Sequence, residues 1–338
     1  MSTIAVNEIT KADGSGSLSV PAESGTVVTT ASPSLGRRNL IINGAMQVAQ
    51  RGTSFSSSAV GGGRYTVDRW SVPNRTRAVQ SSDAPTGFKY SLFIDREQSA
   101  GIEPFTISTG LETQDIVQTG TYTLSFYAKS PTVTTVNVNV QDRTNVSEGG
   151  TNNESFLTDE AVTITSSWAR YSVNFTLSDV VFTGTSLRLS IGNTTAALTS
   201  ELYITGVQLE VGSVASSYEH RSYGEELALC QRYYWRLAAD DSPDVQSYWA
   251  MAVGDGTNMY TPIIFPTQMR STPSLDASNN TSDYRTIGNQ ANTFDTFALS
   301  NASPKTALLS TVLAVAAGQS VVVRGRQAGA YIAFEAEL

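Results

Sequence analysis

The sequence contains one cysteine and one histidine among 338 residues. A single cysteine excludes an internal disulfide framework and a cysteine-based zinc site, because each needs more than one thiol from the chain. A single histidine excludes a metal centre built from several imidazoles. It also leaves His220 as the one imidazole for a Ser-His-Asp or Cys-His relay. We therefore expect neither a bound metal nor an organic cofactor.

Charged residues are scarce as well. They make up 15% of the chain, and the formal net charge is −8, whereas an average soluble domain is roughly 25% charged. Nucleic-acid binding needs a basic face that neutralises phosphates, so an acidic chain of this kind is not expected to bind nucleic acid. Ser and Thr take the place of the missing charges, which predicts a neutral surface rich in hydroxyl groups.

Long apolar runs are absent. The longest, residues 308–317, contains Ser310 and Thr311 and is shorter than the roughly 18 residues of a membrane-spanning helix. The first ten residues lack the basic and apolar regions of a secretion signal. We therefore expect a protein that is made in the cytosol and does not insert into membranes.

Short segments of alternating polarity recur along the chain instead. Apolar and polar residues alternate with a period of two, as in strands with one buried face. Glycine, proline and asparagine separate the segments, and no long helical period is present. This pattern predicts an all-β protein with a sandwich or jelly roll over residues 37–215. The clearest segments are residues 121–129, 136–140, 169–177 and 187–191.

The last strand of this region contains an irregularity. In residues 202–211, Leu202 and Ile204 share one face of the strand. The next apolar residues, Val207, Leu209 and Val211, are also spaced by two but are shifted by one position, so a regular strand would place them on the opposite face. The phase changes at Thr205-Gly206. A β-bulge at Gly206 would reconcile the two halves of the strand.

The N-terminal segment, residues 1–36, contains no Phe, Trp or Tyr and holds short β-like pieces broken by glycine and proline. It cannot build a core of its own. It is either disordered, or it folds by pairing with copies of itself or with a partner; the β-branched residues and low charge favour pairing.

The C-terminal part begins with a bridge, residues 216–230, whose stretch from Tyr223 to Cys230 is the best helix candidate. Cys230 is interpreted as a small buried apolar residue. Residues 231–338 return to β patterning, with Asp255-Gly256 as a hairpin turn. The predicted strands are residues 231–238, 247–253, 259–265, 293–299, 308–315, 321–324 and 328–338. They predict a second, smaller sandwich.

Candidate catalytic groups are few. His220 on the bridge could transfer a proton, but a lone histidine on a linker is better explained by packing or a salt bridge. Two carboxylate groups could belong to an enzyme that cleaves glycans. Neighbouring residues point apart, however, so solvated loop charges are the preferred interpretation and no enzyme is predicted. The two groups are Asp240-Asp241 with Asp244, and Asp159-Glu160.

Aromatic residues of the C-terminal region are the strongest candidates for ligand contact. The rings of Trp249, Tyr260 and Tyr284 could stack on sugar C–H surfaces, while Asp255 and Asn258 fix hydroxyl groups. Trp249 is expected on the strand face opposite its alanine neighbours, at positions 250 and 252. The competing interpretation places each ring in the core or in a subunit interface.

Several segments resemble virion proteins of tailed bacteriophages. Two of them resemble the opening of a domain in phage fibres, and three follow the order found in jelly rolls of carbohydrate-binding modules. A further segment is similar to a junction that recurs in tail fibres of podoviruses, notably those of marine bacteria. These segments are residues 39–53 and 65–70, residues 120–129, 168–171 and 202–212, and residues 218–234.

The resemblance implies a trimeric tail fibre that attaches the virion to a host surface receptor, with a glycan as the expected receptor. Residues 1–36 would anchor the chain to other virion proteins and trimerise, residues 37–215 would form the jelly roll, and residues 231–338 would form the receptor-binding tip. A capsid or head decoration protein and a surface-polysaccharide depolymerase are the alternatives.

Two local features qualify this resemblance. Thr205 and Gly206 stand where such modules often carry acidic residues that hold a structural Ca²⁺, so the expected calcium ligands are missing. Arg64, Arg69 and Arg75, with Arg77, form a local basic run. It is interpreted as a solvated strand face, with contact to a neighbouring virion protein as the alternative.

Overall fold

A computed structural model describes residues 9–10, 17–18, 38–57, 63–96, 105–112, 120–144, 153–177, 186–193, 200–239, 248–288, 292–327 and 329–337. The chain separates into two units, Met1–Arg38 and Asn39–Leu338. In the first unit, β1 (Ile9–Thr10) pairs antiparallel with β2 (Ser17–Leu18). The predicted anchoring and trimerisation by residues 1–36 otherwise falls outside the described residues and stays a prediction.

The N-terminal half of the second unit is a sandwich of two six-stranded antiparallel sheets. Sheet I has the order β12-β9-β14-β7-β6-β3, and sheet II has the order β11-β10-β13-β8-β5-β4. The strands are β3 (Ser54–Phe55), β4 (Arg64–Tyr65), β5 (Ser71–Val72), β6 (Thr76–Ser81), β7 (Ser91–Arg96), β8 (Phe105–Glu112), β9 (Gly120–Lys129), β10 (Thr135–Thr144), β11 (Asn153–Thr163), β12 (Ala169–Leu177), β13 (Ser186–Asn193) and β14 (Glu201–Val211).

The core lies between these sheets and follows the predicted alternation. Leu124 and Phe126 of β9 and Leu189 of β13 are each 0% exposed, as is Trp70. All belong to one apolar cluster. Full burial of each such side chain contributes about 1.5–3 kcal/mol. The predicted all-β class and the inward faces of these strands are confirmed.

The predicted bulge in β14 is also confirmed. Thr205 pairs with Tyr127, and the next pair joins Gln208 to Ser125, so β14 contains one extra residue between these pairs. Gly206 lies in the left-handed region, with φ of 60°. The bulge lets both halves of the strand place their apolar residues in the core.

The predicted helix is α1 (Tyr223–Gln231). Ser222 caps it by accepting the backbone N–H of Glu225, whose side chain returns to the Ser222 backbone N–H and so completes a capping box. The helix runs one residue past the prediction. The next strand therefore begins at Tyr234, after a turn at Arg232 and Tyr233.

The C-terminal part contains a three-stranded sheet III, of order β15-β24-β18, and a seven-stranded sheet IV, of order β20-β19-β23-β16-β17-β22-β21. A second apolar cluster lies among their strands. The strands are β15 (Tyr234–Ala239), β16 (Tyr248–Gly254), β17 (Asn258–Ile264), β18 (Ser274–Ala277), β19 (Tyr284–Ile287), β20 (Thr293–Phe294), β21 (Ala298–Ala302), β22 (Thr306–Val312), β23 (Ser320–Gly325) and β24 (Tyr331–Glu335).

Three elements of this part differ from the expectation. β18 and β19 were not predicted, because segments of four residues are too short to show a clear period. The single strand predicted over residues 293–299 is two strands, β20 and β21. Phe297 lies between them, only 9% exposed, so an apolar side chain is buried where the chain leaves strand geometry. The hairpin at Asp255-Gly256 is confirmed by the antiparallel pairing of β16 and β17.

The C-terminal part packs on the first sandwich through buried ion pairs between side chains. Arg69 is 1% exposed and pairs with Glu337, which also pairs with Arg51 at 3.2 Å. Arg51 contacts Glu335 at 3.0 Å. The interpretation of Arg69 as part of a solvated face is wrong. Its partner, Glu337, follows the last strand and is far from Arg69 in the sequence, so local sequence does not show the pair. The predicted boundaries at residues 215 and 230 stay predictions.

Candidate functional site

A row of polar side chains crosses sheet II on the face that points away from the core. Asn139 of β10 stands opposite Ser190 of β13, Ser190 opposite Ser108 of β8, and Ser108 opposite Ser71 of β5. Asp159 of β11 extends the row on the other side of Asn139. The Oγ atoms of Ser108 and Ser190 lie 2.9 Å apart. Because strands in a sheet are spaced by about 4.8 Å, five strands carry the row over roughly 19 Å.

Two further rows flank this one on the same face. Gln141 stands opposite Arg188, which stands opposite Gly110, and Asn137 stands opposite Gly192. The Asn137 amide donates to Asp159 Oδ1 at 2.8 Å. A Cβ at Gly192 would lie 2.1 Å from the carbonyl oxygen of Phe105. The glycine is therefore required, and it leaves one position of the face without a side chain.

The polar side chains of this face are recessed. Asn139 is 5% exposed, while Gln141 and Ser190 are each 7% exposed. Asn139 Oδ1 has no hydrogen-bond partner within the described ranges. A buried polar atom without a partner costs about 1–3 kcal/mol. A donor entering the face, from water or from a ligand hydroxyl, would recover that cost. We call Asn137, Asn139, Gln141, Arg188 and Ser190 the polar face of sheet II.

The structure places Tyr284 in the second core, and the prediction that its ring contacts a ligand is wrong. The side chain is 0% exposed and stacks on Phe294 with ring centroids 5.3 Å apart. Its hydroxyl donates to the carbonyl oxygen of Ser278 at 2.7 Å. Burial raises the pKa of Tyr284 to about 12. A residue held on both faces has no surface to offer a sugar.

Trp249 also faces inward. β16 has a register shift between Tyr248 and Ala250, where Trp249 is the additional residue. Its ring meets Tyr284 edge-on, with centroids 5.7 Å apart, and packs against the second core. The predicted strand face is therefore wrong, because the bulge turns Trp249 to the same side as Ala250.

The other three predicted residues meet at the β16–β17 hairpin. The Asp255 carboxylate accepts the backbone N–H groups of Thr257 at 2.8 Å and of Asn258 at 2.6 Å. These bonds lower the pKa of Asp255 to about 2. A hydrogen bond to Asp255 raises the pKa of Tyr260. Asp255, Asn258 and Tyr260 are thus close together, whereas Trp249 and Tyr284 belong to the core.

The junction at residues 218–234 has a structural role. Arg232 donates to Glu112 at 3.1 Å, and the Tyr233 hydroxyl donates to the same carboxylate at 2.7 Å. Burial opposes ionisation of Glu112, but these bonds outweigh it and lower its pKa. Glu226 is 1% exposed and accepts the backbone N–H of Asn43 at 2.5 Å. On the other side, the carbonyl oxygens of Arg232 and Tyr233 accept the backbone N–H groups of Arg270 and Ala336, so the segment connects the two sandwiches.

The surroundings of the remaining candidate catalytic residues favour a structural role. His220 packs against Phe88 and Tyr218, at centroid distances of 5.2 and 4.8 Å. Cys230 is 0% exposed, and burial raises its pKa well above the usual value. Asp159 and Glu160 are neighbours on one strand, so their side chains point to opposite faces. The predicted group at residues 240–244 lies outside the described residues.

The described ranges contain no group of three or more His, Cys, Asp or Glu side chains that could hold a metal ion. They also contain no helix long and apolar enough to cross a membrane.

Residues 99–196 match the family model described as a carbohydrate binding domain. The matched segment spans β8 to β13, and it includes every member of the polar face of sheet II. No curated protein matches the sequence.

Solved structures show low similarity to the chain. The C-terminal family 22 carbohydrate binding module of a Clostridium thermocellum protein is 17% identical, with a TM-score of 0.32, and covers 48% of this chain and 100% of that one. A xylan-binding domain from Paenibacillus barcinonensis is 15% identical, with a TM-score of 0.30 and coverages of 48% and 94%. The enzymatically active domain of tailspike protein 4 from Bacteriophage CBA120 is 11% identical, with a TM-score of 0.35 and coverages of 52% and 21%.

Proposed function

We propose that the protein binds carbohydrate without cleaving it, and that the polar face of sheet II holds the glycan. The observation that carries the proposal is the alignment of amide, hydroxyl and guanidinium groups across neighbouring strands inside the segment that matches the carbohydrate binding domain. Sugar hydroxyls both donate and accept hydrogen bonds, so this mixture of groups suits them. The roughly 19 Å row is long enough for several sugar units side by side.

The strength of binding follows from the same groups. A neutral hydrogen bond contributes about 0.5–1.5 kcal/mol net, because each partner first gives up water. Asn139 and Gln141 offer both donor and acceptor atoms, and Arg188 adds donors only. The strands hold these side chains in place before the ligand arrives, which lowers the entropy lost on binding.

Replacement of two amides tests this site. Asn139→Ala with Gln141→Ala removes the central acceptors and donors, and we expect glycan affinity to fall about tenfold or more. Binding is measured on immobilised neutral and acidic polysaccharides. Ser172→Ala is the matched control, because Ser172 is exposed on sheet I. Unchanged binding by a double variant that melts like the parent protein would contradict the site.

We further propose that the glycan belongs to a host cell surface, and that the protein is a trimeric tail fibre of a tailed bacteriophage, located on the virion. The sequence resemblances at residues 39–53, 65–70 and 218–234 support this role. A trimer would present identical sites together and so raise avidity without new contacts. In this proposal the Asp255, Asn258 and Tyr260 hairpin belongs to the receptor-binding part.

Deletion of residues 1–36 tests the fibre role. We expect the shortened protein to lose attachment to the virion and to self-associate more weakly, because these residues lack a core and need a partner. Its glycan binding should remain. Microscopy of particles and sedimentation of the purified protein provide the measurements. Normal assembly of the shortened protein into particles would overturn the anchoring role.

A further inference from the structure

A cleft of ≈ 450 Å³ opens beside the β16–β17 hairpin, at one end of sheet IV. Three segments that are distant in sequence form its walls: the start of β17, the chain from β20 to β21, and the end of β22. It lies outside the segment that matches the carbohydrate binding domain. Its polar lining residues are Asn258, Thr293, Asp295, Thr296, Ser310 and Thr311.

The lining has a distinct chemistry. Hydroxyl groups dominate it, with one amide and one carboxylate, and none of its ten residues is Lys, Arg or His. A carboxylate accepts hydrogen bonds only, so the preferred ligand is rich in O–H donors. A phosphate, a sulfate or an acidic sugar would meet the negative charge of Asp295 without a compensating cation.

Several of these groups are held in position by neighbours. The Asp295 Oδ1 atom accepts the backbone N–H of Ser282 at 2.6 Å. The Asn258 amide donates to Asp255 at 3.4 Å. Ser310 Oγ hydrogen-bonds to Ser300 Oγ. Groups that are ordered beforehand lose little entropy when a ligand binds.

The cleft also has apolar surface of the kind that a sugar ring covers with its C–H groups. Phe294 borders it but belongs to the second core, since it is 7% exposed and its ring stacks on Tyr284 and meets Phe297 edge-on at 5.0 Å. Val312 also lines it and is 82% exposed. Val312 therefore supplies the exposed apolar surface of the cleft beside its hydroxyl groups, and ligand sites combine apolar lining with a few polar groups.

We infer that this cleft is a second carbohydrate site, separate from the polar face of sheet II, and that it takes a neutral sugar. Asn258 lines it, and Tyr260 stands directly across from Ser310 on the neighbouring strand. Asp255 holds the turn between β16 and β17, next to Asn258. Two glycan sites on one unit would increase avidity for a surface that displays many copies of a sugar.

Two variants test the cleft, one by filling it and the other by removing its negative charge. Ala298→Trp places an indole in it from the exposed edge strand β21, and Asp295→Asn removes the charge while keeping an acceptor for Ser282. Thr306→Val is the matched control, because Thr306 lies on the same strand as Ser310 but at the other end, opposite Ile264. The probes are immobilised neutral oligosaccharides and their sialylated counterparts, and melting is recorded for each variant.

We expect at least one neutral oligosaccharide to bind, with affinity reduced tenfold or more by Ala298→Trp and several-fold by Asp295→Asn. Thr306→Val should bind like the parent protein, and sialylation of the probe should weaken binding. If no probe loses affinity in the folded Ala298→Trp protein, or if sialylated probes are preferred in the cleft, the inference is overturned. The Asn139 and Gln141 variants report on sheet II separately, so failure of one site is distinguishable from failure of the other.

Discussion

Glu337→Ala should lower the free energy of unfolding by about 3–5 kcal/mol, because removing one partner of a buried ion pair leaves the other charge uncompensated. The Glu337 side chain is 4% exposed and the Arg69 side chain 2%. Arg69 also lies over the ring of Tyr233 at 3.5 Å and donates to the Gly110 carbonyl at 2.5 Å, but neither neighbour carries a negative charge. The loss would weaken the attachment between the two sandwiches as well as the fold.

Glu335→Ala is the matched control. Glu335 pairs with Arg51, which also pairs with Glu337, but the Glu335 side chain is 29% exposed. Solvent screens a pair of this kind, and it contributes about 0–1 kcal/mol. Urea unfolding of both variants measures the difference. Equal, small losses would show that the Arg69–Glu337 contact is not desolvated in solution. A double change, Arg69→Met with Glu337→Leu, should recover part of the loss, since apolar side chains leave no buried charge.

Gly206→Val should destabilise the first sandwich by about 3 kcal/mol or more, for two separate reasons. A β-branched residue is strained at the φ of 60° that Gly206 adopts. A Cβ there would also lie 2.6 Å from Phe88 and 2.9 Å from Tyr127, which form part of a ring cluster. Overpacking of this kind costs about 1–3 kcal/mol in addition to the strain. With an unfolding entropy of about 2.1 cal/mol/K per residue, a chain of 338 residues should lose about 4 °C or more of melting temperature.

Two other glycines separate these causes. Gly212→Val tests strain without a clash, because Gly212 has φ of 116° and nothing within 4 Å of its added Cβ. Gly120→Val is the control that introduces neither backbone strain nor a clash, since its backbone is not left-handed and its surroundings are open. We expect the order Gly206, Gly212, Gly120 from the largest effect to the smallest. A Gly206→Val protein with the melting temperature of the parent would mean that the bulge can move along β14.

Much of the fold was predictable from local sequence. Strand β9 directs the apolar side chains of Tyr122, Leu124, Phe126 and Ala128 into the core, and that alternation is visible in residues 121–129 because strand geometry has a period of two. The burial of Thr123 and Ser125 on the opposite face of the strand was not visible in the sequence. The bulge was visible as a change of phase at Gly206, and the helix as the stretch from Tyr223 to Cys230. These features depend on neighbours within a few residues, which the sequence displays directly.

The tertiary structure decided which aromatic residues are buried in the core. Trp249 is turned inward by a single extra residue in β16, a change that alters every side-chain direction near it. Tyr284 belongs to a short strand whose pairing with β23 carries it into the core. Local sequence shows which rings exist, but it does not show which partner strand will cover them.

The candidate sites also depend on pairings that no local pattern specifies. The polar face of sheet II exists because strands containing Ser71, Ser108, Asn139 and Ser190 align in one register. The cleft of sheet IV needs three segments that are far apart along the chain, and Arg69 meets Glu337 across 268 positions. Composition and alternation determined an all-β protein with neutral, hydroxyl-rich surfaces. Only long-range pairing brought particular hydroxyl, amide and carboxylate groups within hydrogen-bonding distance of one another, because strand order and register are set by the packing of the whole core.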